Sequence, residues 1–100
     1  MKTVTPGTMI RLWICYQENG NTITDLTDLT VIGYDTQENT VLPQQTLTEY
    51  NNTGYYFYDW DTSGIGSEET IKVFFEKNDS LLVVEEYYFD FLDDGDAQAF

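Results

Sequence analysis

Apolar and polar residues alternate along most of this chain, and no stretch shows the three-to-four-residue spacing of an amphipathic helix. Side chains of a β-strand point alternately to the two faces of a sheet, so a period of two predicts half-buried strands. Aromatic and β-branched residues dominate these stretches, and turn-forming residues separate them at short intervals. The sequence therefore predicts an all-β fold.

The clearest strands are predicted over 8–18, 29–35, 54–60, 70–77 and 81–91. In the last of these, the alternation places five residues on the buried face, with Glu85 as the inconsistent member: Leu81, Val83, Tyr87, Phe89 and Phe91. A weaker strand is predicted to end at Pro43, because proline cannot donate to a ladder and suits a sheet edge.

Roughly seven to eight short strands in a chain of this length favour an antiparallel β-sandwich over a barrel of longer strands. One hundred residues suit one domain. We predict a flexible N-terminal lead at 1–7, a β-sandwich domain at 8–92 and an acidic C-terminal tail at 93–100.

The motif NxGxYxY, formed by Asn52, Gly54, Tyr56 and Tyr58, resembles the immunoglobulin signature in which Asp, Gly, Tyr and Cys alternate. Tyr58 stands at the position of the cysteine. The resemblance implies an immunoglobulin-like sandwich in which the hydroxyl of Tyr56 bonds to the backbone at a sheet corner. The alternative interpretation is an ordinary turn before an aromatic strand.

The order LTVIGYD, TEYNNTGYYFYDWDTSG and a hairpin is similar to immunoglobulin-like modules of tailed-phage virion proteins and bacterial surface proteins. This resemblance implies a structural or accessory virion protein, as a capsid decoration or a tail component. We therefore expect it in the virion, bound to other virion subunits or to copies of itself, without a cofactor.

The charge balance restricts the partners. Eighteen acidic and four basic residues give a net charge of −14, which repels phosphate backbones, so neither nucleic acid nor an anionic membrane is expected as a partner. The first residues lack the apolar run of a signal peptide, and no stretch reaches the length that spans a bilayer. Cys15 has no second cysteine to pair with, which favours synthesis in the host cytoplasm.

Catalytic chemistry has few candidate residues. The chain has no histidine, and Cys15 lies in a predicted strand without a nearby base, so we predict that it is not an enzyme. DWDTSG, at 59–64, matches the opening of a calcium loop, but Thr70 stands where a bidentate glutamate belongs, and a plain turn between two strands is the favoured interpretation. No metal ligand is assigned.

Two groups of residues are candidates for an interface. Trp13, Tyr55, Phe57 and Phe74 fall on the strand faces opposite the inferred core, where they either form a binding surface or pack under a loop. In the tail, Asp93, Asp94 and Asp96 precede Phe100, which we expect to anchor in a pocket of a neighbouring subunit.

Two other functional classes remain open. An acidic nucleic-acid mimic would present carboxylates to the basic groove of a DNA-processing enzyme, and residues 51–100 carry most of the acidic excess. A carbohydrate-binding adhesive module would stack sugars on exposed Trp and Tyr rings. The arrangement of the rings in space separates the second of these from a protein-binding domain.

Overall fold

The computed structural model describes residues 2–90, which form strands and loops and contain no helix. Within that part of the chain no helix could therefore cross a bilayer. The described strands, in chain order, are β1 Lys2–Val4, β2 Met9–Cys15, β3 Gln17–Glu18, β4 Asn21–Thr22, β5 Leu29–Tyr34, β6 Thr40–Thr46, β7 Thr48–Glu49, β8 Tyr55–Asp61, β9 Glu69–Lys77 and β10 Ser80–Phe89.

The strands form two main sheets and a short ribbon. The larger sheet has the order β1-β10-β9-β5-β6, the smaller sheet has the order β2-β8-β7, and β3 pairs with β4. All pairs are antiparallel except β1 with β10. The prediction of an all-β fold is confirmed. The number of strands differs from the prediction because four of them have only two or three residues, too few for an alternation to be visible.

The two sheets share one hydrophobic core. Its buried members come from both sheets and the loops between them: Leu12, Leu29, Val31, Leu42, Leu47, Tyr56, Trp60, Ile71, Val73, Phe75, Tyr87 and Phe89. Trp60 of β8 joins the layers, because its ring centroid lies 5.5 Å from that of Phe89 and 6.5 Å from that of Tyr87 on β10. The side chains therefore fill a single interior between two packed layers.

The period of two holds well in the central strands. On β9, Ile71, Val73 and Phe75 are fully buried, while Lys72 between them is exposed. The residue types at the turns also match the turn geometry. Asn78 and Asp79 form the two-residue turn between β9 and β10, and both have positive φ, 50° and 66°. Asparagine and aspartate tolerate this conformation, which matches the twist of a hairpin.

The first half of β10 corrects the prediction. Leu81 and Val83, predicted to share the buried face, are 55% and 40% exposed. A bulge between them makes Leu81 oppose Glu76 and Val83 oppose Phe75 on β9. Directly opposed residues point to the same face, so the inserted residue moves Leu81 to the outer face. The sequence alone does not reveal the bulge, because nothing in the order of residues marks which one is left unpaired in the ladder.

Two smaller predictions were also wrong. β6 continues through Pro43 to Thr46 and does not end at the proline, although it is an edge strand, as predicted. An edge strand tolerates a residue without an N–H when that position faces away from the sheet. Residues 2–4 of the predicted flexible lead form β1 and pair with Tyr87, Tyr88 and Phe89. Three residues are too few to show a period, so this strand has no sequence signal.

Candidate functional site

The candidate site is the outer side of the three-stranded sheet, which carries a cluster of aromatic side chains. We call it the aromatic face and define it by Arg11 and Trp13 on β2, Tyr55 and Phe57 on β8, and Tyr50 in the loop between β7 and β8. These side chains line a shallow depression of about 640 Å³ together with Thr53. Three of the four predicted aromatic residues are thus brought together.

Strand pairing explains why these residues meet. Trp13 lies directly opposite Phe57, and Cys15 lies opposite Tyr55, in the antiparallel pair of β2 and β8. Opposed residues share a face, as do residues two apart in one strand. Leu12 and Tyr56, at the intervening positions, are fully buried on the other face. The same alternation that builds the core therefore exposes the aromatic face.

The rings form two contacting pairs. The ring centroids of Trp13 and Tyr55 are 5.4 Å apart, with an angle of 32° between the ring planes. Tyr50 and Phe57 meet edge to face with centroids 6.4 Å apart. Aromatic pairs at these separations gain stability beyond the burial of their area, so the rings hold each other in place.

Arg11 supplies the only positive charge of the aromatic face. Its Nε and Nη2 donate to the two carboxylate oxygens of Asp59 at 2.8 and 3.0 Å, and its guanidinium carbon lies 4.0 Å from the ring centroid of Phe57. The hydrogen bonds lower the pKa of the Asp59 carboxyl and raise the pKa of Arg11. The planar fork is thereby fixed, with one face stacked on a ring.

Exposure distinguishes this cluster from a buried one. Trp13 is 56% exposed, Tyr50 is 51% exposed and Tyr55 is 40% exposed, whereas Phe57 is partly covered by its neighbours. Isolated exposed apolar residues are common, but a contiguous group that includes a tryptophan is typical of a binding surface. Phe57 alone among these rings is partly buried, because the Tyr50 ring and the Arg11 guanidinium contact it.

The loop that carries Tyr50 is itself fixed. The N–H of Tyr50 donates to the carbonyl of Tyr55 at 2.8 Å, and the hydroxyl of Thr53 donates to the carbonyl of Tyr50 at 2.5 Å. The carboxylate of Glu49 accepts from the N–H groups of Gly54 and Asp25, at 3.0 and 2.9 Å. The backbone at Tyr50 is therefore held in place before any partner binds, and the contact with Phe57 directs its ring.

Phe74 does not belong to this cluster. It lies on β9 in the five-stranded sheet, where its ring centroid is 5.7 Å from that of Tyr34. Both rings line a separate depression with Asp35 and Lys72. The alternation predicts correctly that Phe74 lies on the outer side of its strand. Only the strand order shows that this outer side belongs to the five-stranded sheet and not to the three-stranded sheet. The tail candidates Asp93, Asp94, Asp96 and Phe100 lie outside the described residues.

The DWDTSG segment begins as the last three residues of β8 and turns after Asp61. The carboxylate of Asp59 is engaged by Arg11, and the Oδ1 atom of Asp61 accepts from the N–H of Ser63 at 3.0 Å. Thr62 is buried, and its hydroxyl donates to the carbonyl of Thr8 at 2.6 Å. Among residues 2–90, no group of three or more potential ligand side chains is positioned for a metal ion. The oxygens of this segment serve the turn and the aromatic face.

Sequence reasoning missed two members of the aromatic face. Arg11 lies two residues before Trp13, so the alternation predicts that both share a strand face, but the role of Arg11 depends on Asp59 and Phe57 across the strand pair. Tyr50 lies in a loop after a two-residue strand, where no period predicts its direction. Comparison with known proteins adds no further candidates: no family model matches the chain, and neither do the curated proteins or the solved structures compared with it.

Proposed function

We propose that this protein is a non-catalytic accessory component of a larger assembly, in the first instance a virion, and that the aromatic face binds another subunit. The observation that carries the proposal is the exposed group of Trp13, Tyr50 and Tyr55 around an arginine whose charge Asp59 already neutralises. Tryptophan, tyrosine and arginine are the residues enriched at the energetic centres of protein interfaces.

The structure of the face suits a protein partner. The rings are held by strand pairing and by contacts with one another, so little conformational freedom is lost on binding. Because the Arg11 guanidinium is paired, binding requires no new partner for it, although its remaining N–H groups can still donate. A partner with an apolar patch and a few acceptors at its rim would complement the face.

The immunoglobulin-like class is part of the same proposal. Two layers over one core support it, as does the hydroxyl of Tyr56, which donates to a backbone carbonyl as a corner tyrosine does. That carbonyl belongs to Ile23, far upstream in the chain, and β9, which follows the motif strand β8, lies in the other sheet. A relationship at the level of the sandwich is therefore proposed, with a strand order of its own.

The test uses assemblies purified from the organism that encodes the chain. The purified protein is added to particles that lack it, and bound protein is separated by sedimentation. We expect Trp13→Ala combined with Tyr55→Ala to abolish binding, whereas Phe74→Ala, which removes a ring from the opposite sheet, leaves binding intact. Unchanged thermal midpoints would show that all variants fold. Equal binding by the double variant and the wild type would refute the proposal.

A carbohydrate ligand is the second candidate. The observation that favours it is the pair formed by Trp13 and Tyr55, whose rings are both exposed and inclined by only 32°. Two neighbouring rings of this kind offer a surface for the apolar faces of sugars. A glycan array probed with the wild type and with Trp13→Ala decides the matter. Binding that disappears with Trp13→Ala supports the sugar, and an array without any signal excludes it.

A further inference from the structure

The free edge of β10 leads to an inference that goes beyond the aromatic face. β1 pairs with β10 only at Tyr87, Tyr88 and Phe89. Between Ser80 and Glu86, no strand among residues 2–90 pairs with β10 on the side away from β9. A strand edge of this kind presents unpaired N–H and C=O groups that can accept a further strand.

The side chains at this edge are unusually apolar. Four consecutive aliphatic residues are exposed: Leu81 by 55%, Leu82 by 37%, Val83 by 40% and Val84 by 39%. Val83 opposes the buried Phe75, so it points to the same side of the sheet as the core. Because Val83 is nevertheless exposed, the smaller sheet does not cover it. Val84 opposes Phe74 on the outer side. An added strand would therefore find apolar side chains on both faces.

The opposite edge of the same sheet shows the usual protection. β6 carries Pro43 and the exposed polar residue Gln44, which discourage the addition of another strand. β10 has neither a proline nor a lysine along its open stretch, and its protection is limited to the bulge between Leu81 and Val83 and to Glu85, which opposes Val73 on the inner face. Its only charged residues there, Glu85 and Glu86, have partners within the chain: the Tyr87 hydroxyl donates to Glu85 at 2.6 Å, and Lys72 lies 3.8 Å from Glu86.

We propose that this edge pairs antiparallel with the same edge of a second copy, on a two-fold axis at Val83, the middle of the stretch that β1 leaves open. In that register Val83 opposes Val83 of the other copy, Leu82 opposes Val84, Leu81 opposes Glu85 and Ser80 opposes Glu86. Each acidic residue thus lies across from an uncharged one, and no two carboxylates are directly opposed. The two sheets become one continuous sheet, and the pair is closed, because the symmetric contact uses the same edge on both copies.

Self-pairing must overcome the charge of the protein. Each copy carries a net charge of −14, so repulsion between copies weakens association at low salt and is screened at high salt. The affinity of the dimer should therefore increase as salt is added. An interface dominated by attraction between opposite charges would show the reverse dependence.

The experiment is sedimentation of the whole chain over a concentration series up to about 100 µM, at low and at high salt. We expect a dimer that strengthens with salt. Val83→Lys places two lysines face to face on the axis and should weaken the dimer about 100-fold or more. Thr46→Lys, which adds the same charge to the edge strand β6, should leave it unchanged. A wild type that stays monomeric at both salt concentrations overturns the proposal, as does equal weakening by both variants.

A second measurement tests the register. In a Cys15→Ser background, Val83→Cys brings two introduced thiols together on the axis, so mild oxidation should yield a covalent dimer. Thr46→Cys in the same background should remain largely monomeric. Equal cross-linking of both variants would overturn the pairing. Trp13→Ala should still dimerise, because the aromatic face lies on the other sheet, so failure of the proposed function would leave this result unaffected.

Discussion

The hydroxyl of Tyr56 donates a hydrogen bond of 2.8 Å to the carbonyl of Ile23, 33 residues earlier in the chain. The same hydroxyl accepts from the N–H of Leu26 at 3.2 Å. Tyr56 is fully buried in β8, so one side chain ties the long segment before β5 to the core and satisfies two backbone groups there. Burial raises the pKa of this hydroxyl, which stays protonated and available as a donor.

The first prediction removes that hydroxyl. Tyr56→Phe keeps the ring but leaves the Ile23 carbonyl and the Leu26 N–H without this partner, at a cost of about 1–3 kcal/mol. Tyr58→Phe is the matched control, because its hydroxyl makes no hydrogen bond within residues 2–90, and we expect a change within about 0.5 kcal/mol. Urea denaturation of both variants measures the difference. If the two variants were equally stable, water would be able to take the place of the Tyr56 hydroxyl without a loss of stability.

The second prediction concerns Gly54, two residues before Tyr56 in the motif. Its φ is +81°, and a Cβ atom there would overlap the methyl group of Thr22 and lie 3.3 Å from the carbonyl oxygen of Ile23. Gly54→Ala therefore combines backbone strain with a clash, and we expect a loss of more than about 2 kcal/mol. The control is Gly20→Ala, which has a φ of +80° but open space around it.

The control separates the two effects. Gly20→Ala should cost only the strain of the left-handed backbone, about 1 kcal/mol. If the two variants lose the same free energy of unfolding in a denaturant titration, the contact between β8 and the Thr22 segment contributes nothing. A larger loss for Gly54→Ala would indicate that the glycine of the motif is required for the close approach of that segment, as well as for its backbone angle.

The third prediction compares two leucines that the sequence alone does not separate. Leu29 begins β5 and is 1% exposed, whereas Leu81 is 55% exposed. Leu29→Ala should cost about 2–5 kcal/mol because it leaves a cavity, and Leu81→Ala should cost less than about 1 kcal/mol. Thermal unfolding in dilute solution, where association does not contribute, measures both. Similar losses would place Leu81 in the core, as the sequence had suggested.

These leucines show where sequence reasoning works and where it stops. The alternation in β9 predicts the buried faces of Ile71, Val73 and Phe75, because central strands keep a strict period of two and their two sides meet different environments. The same rule fails at Leu81, since a bulge shifts the phase and the smaller sheet does not cover that end of β10. Which strands are central, and how far each layer extends, depends on contacts that are distant in sequence.

The candidate site was predictable to the same extent. Trp13, Tyr55 and Phe57 could be assigned to outer faces from their own strands, but only the pairing of β2 with β8 makes them neighbours. Phe74 has the same local pattern and lies on the other sheet. Tyr50 depends on a loop whose shape is fixed by Glu49 and Thr53, so no local pattern could have identified it.

The last prediction concerns the pH dependence of the pair formed by Arg11 and Asp59. The hydrogen bonds from Arg11 hold the pKa of the Asp59 carboxyl below its ordinary value of 3.8. A carboxyl with a lowered pKa in the folded state stabilises the protein above its unfolded pKa, and this contribution is lost as the pH falls through the lower, folded value. As the pH falls below about 4, part of the acid sensitivity of the wild type therefore comes from Asp59.

Asp59→Asn removes this dependence, because the amide does not titrate. We expect the stability of Asp59→Asn, measured by urea denaturation across that range, to fall less steeply with decreasing pH than the stability of the wild type. Glu76→Gln, which removes a carboxylate that forms no ion pair in the described part of the chain, is the control for the change in net charge. Because both members of the pair are exposed to solvent, the effect is small and should shrink further in high salt. Parallel curves for Asp59→Asn and the wild type would mean that the guanidinium does not hold the carboxylate in solution, and the neutralised charge on which the aromatic face depends would then be absent.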